Sequence, residues 1–398
     1  MSKPDDRPIA SQAAIQYLRL WLCPGVGAIR FANLLRELGS IDAALESSES
    51  MLARVEGVGA KTARAIVEVR TATGDQVKRE LDLAAKFGAR LICLSDDEYP
   101  EILKRIDDPP PCLFIRGTLE PADTLAVAVV GSRQCSRYGA EQSERFGALL
   151  AGAGLTVVSG LARGIDSAAH RGALKAGGRT LAIMGCGLCH VYPAEAEQLA
   201  RDVAAHGAVI SELPMDTAPD ASNFPPRNRI IVGLSLGTLV IEAAHKSGAM
   251  ISARLASEYN REVFALPGPV DRPQSEGCHE LIKTGAAKLV TGLPDILEEL
   301  GEVGRILGEP CSAGAATPAS KMSLPTANAN PGASAPLSLS VDERTVQDAI
   351  GVDAYSIDEL CERLPLPPAR IAAAITTLQL KGILRRAEGD RYERSNRR

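Results

Sequence analysis

Apolar positions along this chain follow two rhythms. Up to about residue 88 they recur at helical spacing, in "SQAAIQYLRLWL" (11–22), "IRFANLLREL" (29–38) and "MLARVEGVGAKTARAIVEV" (51–69), and predict short helices. Gly-Val-Gly stands between helix-like runs twice, at 25–27 and 57–59. This repeated scheme resembles tandem helix-hairpin-helix units, whose glycines let hairpin amides and the next helix N-terminus approach a phosphate. A small bundle whose glycines only make tight turns fits the same pattern.

From residue 89 to about 302 the rhythm changes. "TLAVAVVG", "GLTVVSG", "RTLAIMG", "GAVISE", "GTLVIEA" and "REVFALPG" are short aliphatic runs without polar alternation, as expected of parallel strands buried on both faces. Between them lie helix-like stretches such as "GAEQSERFGALLAGA", "GIDSAAHRGALKAGG" and "EAEQLARDVAAH". Successive βαβ units predict an α/β fold with a doubly wound sheet, whose ligands bind at the carboxyl ends of the strands. Residues 303–340, rich in Ala, Pro, Ser and Gly, read as a flexible linker. Residues 341–398 have the cadence of a winged helix: three helices, with a recognition helix near 368–380, then a hairpin turning at Glu388-Gly389-Asp390. That helix offers only Arg370 and Gln379 as base readers, which argues against specific duplex recognition.

The polar motifs fall at the predicted strand ends. "GSRQCSRYG" offers Gly131 for a sharp turn, Ser132 with hydroxyl and amide donors, and Arg133 over the next helix N-terminus. It is not a dinucleotide fingerprint. "SGLARGIDSAAH" sets Ser159, Gly160 and Gly164 around Arg163, with Asp166 as a cap for the following helix. "FPPRNR" puts Arg227, Asn228 and Arg229 at the start of a helix read as "NRIIVGLS", and "EAAHKSGAM" contributes Lys246, Ser247 and Gly248. Together these describe a phosphate-binding rim of glycine amides, serine hydroxyls and guanidiniums. Asp166 and Glu242 could instead pair with Arg163 or Arg229 and only stabilise loops, and His170 reads as a packed helix residue rather than a base.

Composition narrows the classes. The 398 residues carry 44 Lys and Arg against 49 Asp and Glu, a net charge of −5, so any anion site depends on local clustering. "MSKPDDRPIASQ" has no apolar leader core and no long uncharged apolar run follows; neither export nor membrane spanning is expected, and the cytoplasm is. Nine cysteines suit reduced thiols. "CGLCH" (Cys186, Cys189, His190) fits a haem or zinc pattern only in isolation, so no metal is expected. Aromatics are 4% of the chain. With Tyr138, Tyr192 and Phe224 the few near the rim, binding should rest on phosphates and depend steeply on salt.

In sequence order, "VAVVGSR", "SGLARGIDSAAH", "GGRTLAIMGCGL", "VYP", "SELP", "FPPRNRIIVGLS", "VIEAAHKSGAMISARLASEYNREVFALPG" and "GCHELIKTGAAKLV" resemble the DNA-processing protein A (DprA, or Smf) family over residues 90–300. The resemblance implies an extended Rossmann-like fold at 89–302, flanked by the helix-hairpin-helix or SAM-like domain expected at 1–88 and the winged helix expected at 341–398 from their own patterns. It implies a cytoplasmic homodimer, formed through the Rossmann-like domain, that is no enzyme and needs no cofactor. Such a protein binds and protects incoming single-stranded DNA and helps load the RecA recombinase in natural transformation. Its DNA pocket would comprise Gly131, Ser132, Arg133, Ser159, Gly160, Gly164, Arg227, Asn228, Arg229, Ser247 and Gly248, with Arg163 and Lys246 beside it. Many members carry a lysine after "YP" where this chain has Ala194; either Arg137, Arg163 or Lys246 substitutes, or affinity is lower and leans more on the other domains. The competing enzyme reading, a nucleoside monophosphate phosphoribohydrolase, lacks its acids: Leu234, Ser235, Val240 and Ile241 stand where glycines and glutamates belong.

Overall fold

A computed structural model describes residues 8–72, 74–301, 341–350, 355–366, 370–371, 374–375, 378, 383–387 and 391–394. Those up to residue 301 belong to one compact unit, and those from residue 341 onward to a second.

In the first unit the N-terminal helices are α1 (Gln12–Trp21), α2 (Ala28–Leu38), α3 (Ile41–Glu46), α4 (Glu49–Leu52), α5 (Ala60–Ala72) and α6 (Gly74–Lys86). Ser11 caps α1 by accepting from the Ala14 amide at 2.9 Å, satisfying one of the orphan donors of the first turn. The two Gly-Val-Gly hairpins fall between α1 and α2 and between α4 and α5, and Gly25 and Gly57 take left-handed φ of 86° and 80°. Helical spacing therefore read this region correctly.

The sheet comes next: β1 (Ala89–Cys93), α7 (Glu101–Lys104), β2 (Cys112–Gly117), β3 (Ala126–Val130), α8 (Arg137–Gly152), β4 (Thr156–Ser159), α9 (Ile165–Lys175), β5 (Thr180–Ile183), α10 (Glu197–His206), β6 (Gly207–Ser211), α11 (Phe224–Gly233), β7 (Gly237–Val240), α12 (Gly248–Glu258), β8 (Glu262–Ala265), α13 (Glu276–Lys283), β9 (Lys288–Leu289) and α14 (Leu293–Glu299). Among the described residues the sheet has nine strands in the order β1-β2-β6-β5-β4-β3-β7-β8-β9. Every residue of β3, β4, β5, β6 and β7 is buried, which is why these runs lack polar alternation. β6 through β9 pair in parallel; β1 and β2 extend the sheet antiparallel beyond β6.

The chain winds outward from β3 to β6 and then returns to lay β7 on the other side of β3. That reversal makes the carboxyl ends of β3 and β7 a topological switch point, the place where a crevice opens in doubly wound sheets. One face of the sheet packs Phe146, Leu150 and Ile165 against Val127, Val129 and Leu239. The other packs Ile230, Ala253 and Cys278 against Ala128 and Val240. A third cluster joins Leu18, Phe31 and Ile66 of the N-terminal helices to Phe114, Met184 and Met215.

The second unit contains helices Val341–Ala349 and Ile357–Arg363 and a three-stranded antiparallel sheet, β10 (Tyr355–Ser356), β12 (Arg391–Arg394) and β11 (Leu384–Ala387) in that order. Val346, Leu360, Ile375, Leu384 and Tyr392 form its core, giving the helices-plus-wing arrangement expected of this segment. Arg370 is engaged by Asp342 through both nitrogens of one edge, at 2.7 and 2.6 Å. The linker, Gln379, most of the recognition helix and the Glu388–Asp390 turn lie outside the described residues.

Candidate nucleic-acid interface

A cavity of about 340 Å³ opens at the switch point, lined by Val130 at the end of β3 and Gly131, Ser132 and Arg133 after it, Ala162 and Asp166 after β4, Arg227, Asn228 and Ile231 on α11, and Ser247, Gly248, Ala249 and Ser252 at the start of α12. Thus Gly131, Ser132, Arg133, Arg227, Asn228, Ser247 and Gly248, scattered over more than a hundred positions, line one space.

The floor is Arg227. Its Nη1 donates to the Gly160 carbonyl at 2.7 Å and to the Ile183 carbonyl, and the residue is 4% exposed. Gly160 leaves room for this approach: a Cβ there would stand 2.2 Å from Nη1, and the guanidinium would have to shift. Burial brings the Arg227 pKa down to about 10, against the pull of Asp166, so the guanidinium stays charged at neutral pH. Asp166 is itself pushed up by burial, with Arg227 the main opposing influence. It does not cap α9, as its sequence position suggested. The N-cap is Gly164, at φ 77°, and the Asp166 carboxylate accepts weakly from the Ala162 amide at 3.4 Å. A Cβ at Gly164 would strike the Ser132 carbonyl at 2.4 Å, so glycine here locks the loops after β3 and β4 together.

Two buried polar atoms of the lining, Arg227 Nε and Ser247 Oγ, have no hydrogen-bond partner among the described residues. Such groups are normally satisfied, so both call for solvent or a ligand. Ser247 is the N-cap of α12, where the helix dipole favours an anion. Ser132 offers less than expected. Its amide is already given to the Glu242 carbonyl at 2.8 Å, leaving the hydroxyl, which also accepts from the Gln134 amide at 3.1 Å.

Arg133 is exposed and makes no ion pair among the described residues; its guanidinium lies over the Phe224 ring, 4.8 Å from the centroid. Stacking through the face leaves the N–H edge for a ligand. Phe224 in turn meets Tyr192, with ring centroids 5.5 Å apart. Tyr138 turns elsewhere, donating to the Pro267 carbonyl at 2.9 Å.

Arg229 does not face the cavity. Its Nη2 pairs with Glu212 at 2.5 Å and its Nε with Asp108 at 3.1 Å. The cause is the helix start: α11 begins at Phe224 with prolines in its first turn, not at Asn228. Two residues on a helix lie about 200° apart, so Arg227 and Arg229 point to opposite sides. Ser159 is also internal, its hydroxyl donating to the Val129 carbonyl at 2.7 Å. Arg163 and Lys246 are exposed outside the lining, Arg163 paired with Glu195. Arg137 is paired with Glu141 at 2.7 Å. Glu242 serves neither Arg163 nor Arg229 but accepts from the Ser136 amide and hydroxyl at the start of α8.

His170 is fully buried under the floor. Thr180 donates its hydroxyl to the Val157 carbonyl and so accepts from His170 Nδ1, at 2.7 Å, which leaves Nε2 as a bare acceptor. Burial, with Arg227 and Arg171 adding to it, drops its pKa to about 3. Cys186 is buried and its thiol is pushed up to about 11. Among the described residues no group of three or more His, Cys, Asp or Glu could hold a metal ion, and no helix is long and apolar enough to cross a membrane.

Sequence reasoning missed Val130, Ala162, Ile231, Ala249 and Ser252 in the lining, and read Asp166 only as a cap or an ion-pair partner. Only Ser252 carried a signal, lying within the first turns of the helix that Ser247 begins.

Residues 90–301 match the family model described as DNA recombination-mediator protein A, and residues 330–390 match the DprA winged helix domain. Protein Smf of Synechocystis sp. is 31% identical over 384 residues, covering 93% of this chain and 96% of that protein. DNA processing protein DprA of Streptococcus pneumoniae is 45% identical over 204 residues, covering 51% of this chain and 72% of that protein. An X-ray structure of DNA processing protein A from S. pneumoniae aligns with a TM-score of 0.64 and 36% identity, covering 72% of this chain and 97% of that one.

Proposed function

The chain belongs to the DNA recombination-mediator protein A family, and on that premise we propose that the cavity at the switch point binds the sugar-phosphate backbone of single-stranded DNA. The observation that carries this reading is the pair of partnerless buried atoms, Arg227 Nε and Ser247 Oγ, in a cavity that also holds Arg133, free of ion pairs among the described residues. Three features favour an anion there: a buried guanidinium, a helix N-terminus and an exposed guanidinium fixed on an aromatic ring. A cavity of about 340 Å³ has room for a phosphate with its sugar.

Binding rather than turnover is the reading the titratable groups support. His170 is buried and held neutral on Thr180, which removes it as a base at a bound backbone, and Asp166, in the lining, is engaged by the Arg227 charge. By the family resemblance, the protein acts in the cytoplasm as a homodimer through its Rossmann-like domain, shielding single strands and delivering them to RecA. In this assignment Gly131, Ser132, Arg133, Arg227, Asn228, Ser247 and Gly248 meet the strand. Gly160 and Gly164 shape the floor, and Arg163 and Lys246 reach phosphates from outside.

The test is equilibrium binding of a labelled oligonucleotide, single-stranded and duplex, across a salt series. Arg133→Ala should weaken single-strand binding by about 1.5–3 kcal/mol, the worth of a charge-assisted contact, and lower the salt slope by about one. Unchanged affinity with folding intact would remove the strand from this cavity. Equal binding to duplex would move it to another part of the chain.

A further inference from the structure

Tyr192 is 43% exposed, and among the described residues it is the only aromatic side chain that stands out into solvent. In a chain with 4% aromatics, an open ring beside a cavity of guanidiniums needs a reason. Its neighbours supply one. Phe224 carries the Arg133 guanidinium over its ring at 4.8 Å and has Tyr192 against it at 5.5 Å, tilted by 40°. Phe224 is thereby engaged, and Tyr192 is the exposed end of a stacked series that begins at the cavity wall. Arg163, paired with Glu195, stands on the same rim near Tyr192.

Building on the proposed single-strand site, we infer that Tyr192 is a base-stacking platform: when a backbone phosphate sits at Arg133, the base of a neighbouring nucleotide lies on the Tyr192 ring. An open ring one stacking partner away from the Arg133 guanidinium matches what a sequence-tolerant single strand offers, a π-face on every base next to a charged backbone. The tyrosine hydroxyl has no part in this; the ring face does. The consequence is that affinity has a component that does not depend on salt, added to the phosphate component.

The experiment uses the full chain and two fluorescent probes of equal length, an oligothymidylate and the same backbone with abasic sugars. Tyr192→Ala should bind the oligothymidylate about tenfold more weakly, in line with the worth of one stacked base, and the abasic strand unchanged. Tyr192→Phe should bind both as the parent does. An equal loss on both probes, or no loss on either, overturns the platform. Arg133→Ala on the abasic strand separates this from the underlying reading. If Arg133→Ala weakens abasic binding while Tyr192→Ala spares the oligothymidylate, the platform fails and the cavity stands. If Arg133→Ala has no effect on the abasic strand, the cavity reading fails and takes the platform's geometry with it.

Discussion

Arg227 and Arg229 stand two residues apart on one helix and serve two unlike regions. Arg227 rests on the carbonyls of Gly160 and Ile183 at the floor of an open cavity, with Asp166 as the nearest carboxylate and Arg133 as a further cation. Arg229 is closed in by Glu212 and Asp108, and Asp108 is held in turn by the Tyr259 hydroxyl at 3.0 Å. Both arginines are buried. The balance around them differs. Each keeps one buried nitrogen without a partner among the described residues, Nε of Arg227 and Nη1 of Arg229, so the contrast is one of charge: the first region keeps a positive surplus, and the second cancels its charge internally. Burial of an arginine thus says little about its role until its carboxylates have been counted.

The sharpest way to break this contrast is Arg229→Ala. It strands Glu212, a buried carboxylate that burial already pushes up and Arg229 holds down. Removing one partner of such a pair costs about 3–5 kcal/mol. Urea unfolding should show that loss, while binding to single strands, measured where the variant is still folded, should change little. A binding loss as large as that of Arg133→Ala would erase the distinction between the regions.

The charge beneath the cavity can be read from His170, which stays neutral in the folded chain with a pKa of about 3. Between about pH 3 and 6.5 the unfolded chain binds a proton that the folded chain refuses, so stability rises with pH through that window and falls as the solution is acidified. From pH 7 to pH 5 the loss from this group alone should be about 2 kcal/mol. His170→Asn should remove that component of the slope in paired urea titrations. An identical slope in the variant would mean that the proton is taken up elsewhere.

The smallest effect is expected at the exposed pair of Arg163 and Glu195. Arg163→Ala should leave the melting midpoint in place, as surface pairs contribute little, and flatten the salt dependence of single-strand binding by about one phosphate contact. A displaced midpoint would show the pair to be structural.

Much of this was legible in the residues. Strands buried on both faces announce themselves as unbroken aliphatic runs, and the loops that end them gather the cavity lining because a doubly wound sheet brings its carboxyl ends together. The opposite fates of Arg227 and Arg229 were not legible, because they depend on where α11 begins. A Pro-Pro pair reads as a rigid lead-in, yet it fits the first turn of a helix, and moving the start from Asn228 to Phe224 decides which side each guanidinium faces. The carboxylates that close on Arg229 come from Asp108 and Glu212, far apart in the chain, and no local pattern links them. The antiparallel addition of β1 and β2 is equally silent, since an apolar run carries its burial but not its direction.

The N-terminal helices share their packing with the sheet. Trp21 donates its indole N–H to the Glu212 carbonyl at 3.0 Å, Glu80 accepts from the Met215 amide at 2.6 Å, and the apolar cluster of Leu18, Phe31 and Ile66 runs unbroken into Met184 and Cys186. Cutting the chain near residue 88 would sever a loop without finding a seam: the sheet would be left with a wet apolar scar, and the helices would lose the wall they wrap. The two parts belong to one compact unit, welded through shared side chains rather than hung on a tether.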